Sequence, residues 1–277
     1  MRFTKMEGLG NDYLYVNTFE ESVENPSAVA ARISDRHRGV GADGLVLIGP
    51  GRGADFSMRI FNADGSESEM CGNAARCVGK YVYERGLWGR ENLTLETGGV
   101  ARAVSLRVKD GRVESVRVDM GRPVLSPAAI PVHLPGGAVL GLSLPWGEEN
   151  LTVHCVSVGN PHCVLFVEDV DTAPVRELGP RLERHPSFPK RINVEFAQVV
   201  SPDRIRLRVW ERGSGETMAC GTGACAALAA AALTGRCGRE AEVILPGGPL
   251  RIRWREDGHL EQEGPANFVF DGEWNGD

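Results

Sequence analysis

Short apolar runs, alternating or continuous and broken by Gly, Asn, Asp and Pro, dominate the chain and predict a molecule built mainly of β-strands. The runs Phe3–Met6, Asp12–Asn17, Leu45–Ile48, Phe56–Asn62, Leu93–Thr97, Ala101–Lys109 and Val113–Met120 read as strands. So do Leu151–Val158, Pro161–Val167, Asn193–Ser201, Arg204–Trp210, Glu242–Leu245, Leu250–Arg255 and Ala266–Phe270. Three stretches carry helical signals instead. Asn25–Asp35 has Pro26 in its first turn, Gly72 to about Arg85 stops at Gly86, and Gly221 to about Leu233 stops at Gly235. Glu256-Asp257-Gly258 has hairpin turn chemistry.

The order of these elements repeats: strands, a helix headed by a cysteine, then more strands. Asp64-Gly65-Ser66-Glu67-Ser68-Glu69-Met70-Cys71-Gly72 is echoed by Arg212-Gly213-Ser214-Gly215-Glu216-Thr217-Met218-Ala219-Cys220-Gly221. Each copy opens a run rich in small apolar residues, and a helix apolar nearly all round is a buried one. The Gly- and Pro-rich stretch Gly121–Pro145 is the linker candidate. These observations predict an α+β fold of two pseudo-symmetric domains, each a sheet wrapped around a central helix, with the active site in the cleft between them. The domains fall at 1–119, with the C-terminal strand 266–277 returning to it, and at 120–265.

Composition narrows the function. With 277 residues, 42% of them hydrophobic, the chain is long enough for real cores. A net charge of −6 argues against nucleic acid and anionic membranes as main partners. Met1–Glu7 has no apolar signal region and no run approaches a transmembrane span, which predicts a soluble cytoplasmic protein. The seven cysteines are odd in number and include no Cys-x-x-Cys, which disfavours a disulfide framework. His154-Cys155 and His162-Cys163 have poor spacing for zinc, so no metal is expected.

A cysteine at a helix start sits beside free N–H donors and the positive end of the helix dipole, which lower a thiol's ordinary pKa and attract anions. Cys71 and Cys220 therefore suggest two acid/base sulfurs facing one small anion, able to remove a proton from one face and return one to the other. The bland alternative is two buried turn cysteines. Cys77, Cys155, Cys163, Cys225 and Cys237 read as packing residues within helices or strands. Gly39-Val40-Gly41-Ala42-Asp43-Gly44 matches a dinucleotide-binding pattern, but a strand follows it rather than a helix, so a turn near the site is the better reading. Asn11, Asn62, Asn73, Asn160 and Asn193 recur at turns. With Glu211 for an ammonium group and Arg212 for a carboxylate, they would line a pocket suited to a zwitterion. His162 is either a turn histidine or a support for the site.

The blocks Asn62-x-Asp64-Gly65-Ser66, Met70-Cys71-Gly72-Asn73-x-x-Arg76-Cys77, Gly159-Asn160-Pro161-His162, Arg191-Ile192-Asn193-Val194-Glu195, Glu211-Arg212-Gly213-x-Gly215-Glu216-Thr217 and Ala219-Cys220-Gly221-Thr222-Gly223 together resemble the signature of diaminopimelate epimerases. Gly8-Leu9-Gly10-Asn11-Asp12 belongs to the same pattern, and the order matches from residue 3 to about Gly272. The resemblance implies a cofactor-independent epimerase that interconverts LL- and meso-2,6-diaminopimelate in lysine and peptidoglycan biosynthesis. It implies Cys71 and Cys220 as the two acid/base thiols, with Glu211 and His162 supporting the reacting centre. Gly72-Asn73 and Gly221-Thr222 would bind the reacting carboxylate. Asn62, Asn160, Asn193 and Arg212 would hold the distal end, and Asn11 would complete the pocket. At Gly44 some members carry a substrate-contacting Gln, so a backbone or water contact is implied there. A homodimer is implied as well, with Phe270 as the interface aromatic.

Such a site must stabilise a carbanion electrostatically, since Lys5, Lys80, Lys109 and Lys190 sit in no pyridoxal-binding context. Two nearby thiols would titrate as a coupled pair and give a bell-shaped pH dependence. Oxidation would join Cys71 to Cys220. A proline racemase or hydroxyproline epimerase is the nearest rival, although those enzymes typically show Cys-Gly-His where this chain has Cys71-Gly72-Asn73. A Cys/His hydrolase using His162 and a thiol redox or metal module are the others.

Overall fold

The computed structural model describes residues 1–133, 139–147 and 149–276. The chain divides into two compact units, Met1–Asp119 with Glu263–Asp277, and Met120–Gln262. The first carries β1 (Arg2–Gly8), β2 (Asn11–Asn17), α1 (Pro26–Ile33), β3 (Gly44–Pro50), β4 (Phe56–Asn62), β5 (Glu67–Ser68), α2 (Gly72–Glu84), β6 (Asn92–Thr97), β7 (Val100–Lys109) and β8 (Arg112–Gly121). The rest of the chain adds β9 (Leu142–Trp146), β10 (Glu149–Ser157), β11 (Pro161–Phe166), α3 (Val175–Glu183), β12 (Asn193–Ser201), β13 (Arg204–Glu211), β14 (Gly215–Thr217), α4 (Gly221–Leu233), β15 (Glu240–Leu245), β16 (Gly248–Trp254), β17 (Leu260–Gly264) and β18 (Asn267–Glu273).

The two halves repeat one pairing scheme. In the first unit β1 and β2 are antiparallel, β2 and β3 parallel, β3 and β4 antiparallel, β4 and β6 parallel, and β6 and β7 antiparallel. In the second, β10–β11, β11–β12, β12–β13, β13–β15 and β15–β16 follow the same alternation. The short strands β5 and β14 fold back on β4 and β13 just before each cysteine. β18 returns to pair with β1. Parallel neighbours require a crossover, and in both halves helices supply it: α1 joins β2 to β3, and α3 joins β11 to β12.

The cysteine-headed helices are the best-covered elements. Gly221–Ala231 of α4 is buried throughout, and the helix packs against β10, β11, β12, β13, β15 and β16. Its alanines let strands approach on every side without a polar stripe. In α2, the buried run from Gly72 to Gly79 packs against β1, β2 and β7. α1 begins as its sequence suggests: Asn25 caps it by accepting from the Ala28 amide at 3.3 Å, and Pro26 follows in the first turn.

Three expectations need correction. The stretch Gly121–Pro145 is not simply a linker, because Ile130, Val132, Val139, Leu142 and Leu144 are buried in the core of the second unit with Val153, Leu165 and Phe196. Positions 134–138 of it lie outside the described residues, as does Asp277 of the C-terminal segment. Cys237 sits in a bend after α4, half-buried, rather than in a helix or strand. α3 has no counterpart among the expected helices, since Gly179 and Pro180 read as breakers. Its glycine has a packing cause: a Cβ there would lie 2.5 Å from Trp210 Cγ, so only glycine lets the helix lie against the indole.

Candidate active site

Each half places its cysteine as the N-cap of the buried helix. Cys71 precedes α2 with extended φ/ψ of −139°/112°, and Cys220 precedes α4 with −123°/107°. In both, the sulfur accepts a first-turn amide: Ala74 N–H to Cys71 Sγ at 3.5 Å, and Gly223 N–H to Cys220 Sγ at 3.3 Å. The two backbone amides between cap and acceptor, those of Gly72 and Asn73 in one unit and Gly221 and Thr222 in the other, belong to the first turn, which has no intrahelical acceptors. This geometry binds an anion through N–H donors and a favourable dipole.

The surroundings of the two sulfurs differ. Around Cys71 they are amides: its thiol donates to Asn11 Oδ1 at 3.4 Å, and Asn73 Nδ2 donates to the same oxygen at 3.3 Å. Asn11 is fixed from behind by donating through Nδ2 to Asp43 Oδ2 at 2.7 Å. Asp43 comes from the Gly39–Gly44 loop, so that loop serves the cysteine's neighbourhood and ties in Asp12 and Arg36 as well. Burial pushes the Asp43 carboxyl up, against the hydrogen bond from Asn11 and the charge of Arg36. Asn62 ends β4 and donates to Ser66 Oγ at 3.0 Å, shaping the turn that leads to Cys71. Gly44 is buried in register with Asn62, and a Cβ there would lie 2.1 Å from the Phe61 carbonyl oxygen. That closeness accounts for the absence of a side chain at this position.

Around Cys220 the neighbours are ionisable. His162, fully buried in β11, is held between Glu195 Oε1, 2.7 Å from Nδ1, and Asn160 Oδ1, 2.8 Å from Nε2. Glu211 ends β13 and its Oε1 accepts from the Thr217 hydroxyl at 2.6 Å. Asn193 is buried and spent on backbone: Nδ2 donates to the Pro161 carbonyl at 2.9 Å and Oδ1 accepts from the Arg212 amide at 2.8 Å. Arg212 itself is exposed, with its guanidinium donating to the Lys190 carbonyl at 3.2 Å.

Burial and the carboxylates of Glu211 and Glu195 push the Cys220 thiol well above its ordinary value. The helix-start amide of Gly223 and the Thr222 hydroxyl pull the other way and lose. The depressed thiol expected of a helix start is thus reversed at Cys220, because two negative neighbours and lost hydration outweigh one amide. Burial likewise pushes the Glu211 and Glu195 carboxyls up.

Glu195 is the residue that sequence reasoning passed over. A glutamate in a run of apolar strand residues carries no local sign of burial. Glu195 is fully buried. Register accounts for it: β11 and β12 pair in parallel with Val164 beside Glu195, two positions along from His162 beside Asn193, and no local sequence pattern records that pairing. Phe270 lies on β18, 45% exposed and edge-on to Phe3 at 5.9 Å.

The diaminopimelate epimerase family model matches residues 3–126 and 154–269. Diaminopimelate epimerase of Acetivibrio thermocellus is 54% identical over 99% of this chain and 98% of its own length. That of Pelotomaculum thermopropionicum is 53% identical over 99% of each chain. The chain belongs to the diaminopimelate epimerase family. Its relatives' names support an enzyme of that type, an epimerase. Among solved structures, a probable proline racemase from Agrobacterium radiobacter is similar with a TM-score of 0.73 and 17% identity, over 99% of this chain and 92% of that one. At that identity the likeness is one of fold: the sheet-dominated α+β architecture is shared across the epimerase family and proline racemase alike. No helix among the described residues is long and apolar enough to cross a membrane, which says nothing about membrane barrels built from strands.

Proposed function

We propose that this epimerase interconverts LL- and meso-2,6-diaminopimelate without a cofactor, using Cys71 and Cys220 as its two acid/base thiols. One observation carries the reading: each half of the chain presents a cysteine as the N-cap of a buried helix, its sulfur beside first-turn amides. In this reading one sulfur, as thiolate, takes the α-proton, and the C–H electron pair delocalises into the carboxylate. The other sulfur, as thiol, returns a proton to the opposite face. The amides of Gly72, Asn73, Gly221 and Thr222 meet the charge that builds on the carboxylate, which is where preorganised donors accelerate a reaction most. Asn11 holds the Cys71 sulfur, while His162, Glu195 and Glu211 set the charge around Cys220. The raised Cys220 pKa supports a resting state in which Cys220 keeps its proton.

Arg212, with Asn62, Asn160 and Asn193, supports recognition of a second amino-acid group on the substrate. A guanidinium is suited to bidentate carboxylate binding, and proline has no such second group. Asn73 in place of His after the first Cys-Gly supports the same choice. The setting proposed is the cytoplasm, where thiols stay reduced, within lysine and peptidoglycan synthesis. The exposed Val269 and Phe270 support a homodimer.

The test is to incubate the reduced protein separately with LL-diaminopimelate, L-proline and trans-4-hydroxy-L-proline, and to resolve the stereoisomers by chiral chromatography. Meso-diaminopimelate forming from the first, with the other two unchanged, is the expected result. Conversion of proline or hydroxyproline with diaminopimelate untouched would overturn the reading.

A further inference from the structure

Glu183 closes α3 and has no part in the chemistry above, yet it is 2% exposed. A carboxylate so far from water needs donors on both oxygens. Oε2 accepts from the Trp210 indole N–H at 2.9 Å, and Oε1 accepts from the Gly213 amide at 3.2 Å. Trp210 and Gly213 bracket Glu211 and Arg212 in the chain. The stretch that follows α3 adds further ties to the same turn, through the Lys190 carbonyl on the Arg212 guanidinium and Asn193 Oδ1 on the Arg212 amide. The exposed Arg212 therefore projects from a turn gripped at both shoulders by one buried carboxylate.

We propose that Glu183 is a positioning residue for Arg212, and through it a determinant of specificity for substrates with a second carboxylate. This rests on the reading of the substrate proposed above. The chemistry requires an acid at this position. Two N–H donors converge on two oxygens, the Arg191 guanidinium lies 3.6 Å from Oε1 as a third partner, and an amide offers only one acceptor and no charge. Glu183→Gln sets an NH2 group against either the indole or the Gly213 amide, which releases one shoulder of the turn. Gly213 has a positive φ of 83°, a conformation an L side chain would resist. Arg212 then samples more orientations and its contact with substrate weakens, while Glu211 beside Cys220 keeps its own tie to the Thr217 hydroxyl.

The experiment is a double-mutant cycle on steady-state turnover of LL-diaminopimelate by wild type, Glu183→Gln, Arg212→Ala and the pair. Loss of one buried, charge-assisted hydrogen bond predicts a KM raised about tenfold in Glu183→Gln, with kcat within about twofold of wild type. In the Arg212→Ala background the same change should add nothing to KM. A fall in kcat at unchanged KM, or losses that multiply in the double variant, would overturn the proposal. Circular dichroism checks the fold of each variant. If Glu183→Gln does not fold, Trp210→Phe opens the same link from the other side, where a rise in KM supports the proposal and an unchanged KM overturns it. Wild-type protein inactive on diaminopimelate would remove both this inference and the substrate reading. Multiplicative losses in an active enzyme remove this inference alone.

Discussion

At the scale of single residues, the two cysteines are alike in backbone and unlike in company. Cys71 has neutral amides beside it, and Cys220 has an imidazole and two carboxyls. Glu195 is the most informative of these neighbours. Burial raises its carboxyl despite the pull of His162. A raised carboxyl contributes stability that is complete below its unfolded value of 4.5 and is lost as pH rises through the folded value, so at neutral pH its ionisation opposes folding. Glu195→Gln should therefore unfold in urea at pH 7 no more easily than wild type, while its turnover falls about tenfold or more for want of the carboxyl partner of His162. Easier unfolding with unchanged turnover would contradict this role. The cysteines, Asn11, Asn73, Glu211 and Arg212 were legible in the sequence because turn chemistry and repetition mark them. Glu195 was not, because its burial depends on strand pairing that no local pattern records.

At the scale of elements, duplication explains both what was legible and what was missed. The strands and the two cysteine-headed helices follow from apolar runs, caps and glycine stops. α3 was hidden by Gly179 and Pro180, although the first half already had α1 at the equivalent crossover. Trp210 explains the glycine. In an exposed helix interior, Gly→Ala would be favourable by about 1 kcal/mol. Here the added methyl would sit 2.5 to 2.8 Å from Trp210 side-chain carbons. Overpacking of that kind costs about 1–3 kcal/mol and wins. Gly179→Ala should lower the urea midpoint of unfolding, and a rise would show that α3 is less tightly seated than described. The Gly121–Pro145 stretch misled for a related reason: Gly and Pro density signals turns whether or not the residues between them are buried.

At the scale of the whole molecule, buried thiols are held in their protonated form. Cys77 in α2 is pushed up from 9.0 to about 12 by burial, Cys163 is raised by its hydrogen bond with Cys155 and by burial, and Cys220 by burial with the carboxylates of Glu211 and Glu195. A group with a raised folded pKa stabilises the native state fully below its unfolded value and loses that contribution as pH climbs to the folded one. The free energy of unfolding should fall between pH 9 and about 12, the window set by Cys77, and Cys77→Ala should flatten that fall while lowering stability below pH 9 through the cavity it leaves. Equal slopes in variant and wild type, read from urea unfolding across that range, would contradict the assignment. The central claim is that two sulfurs, one from each unit, act on a single α-carbon. The most direct test incubates reduced wild type, Cys71→Ala and Cys220→Ala with LL-diaminopimelate in D2O and follows deuterium at the α-carbons by mass spectrometry. The account predicts one deuterium and meso product with wild type, and neither with either variant. Full epimerisation by a protein lacking one of the two thiols would contradict it.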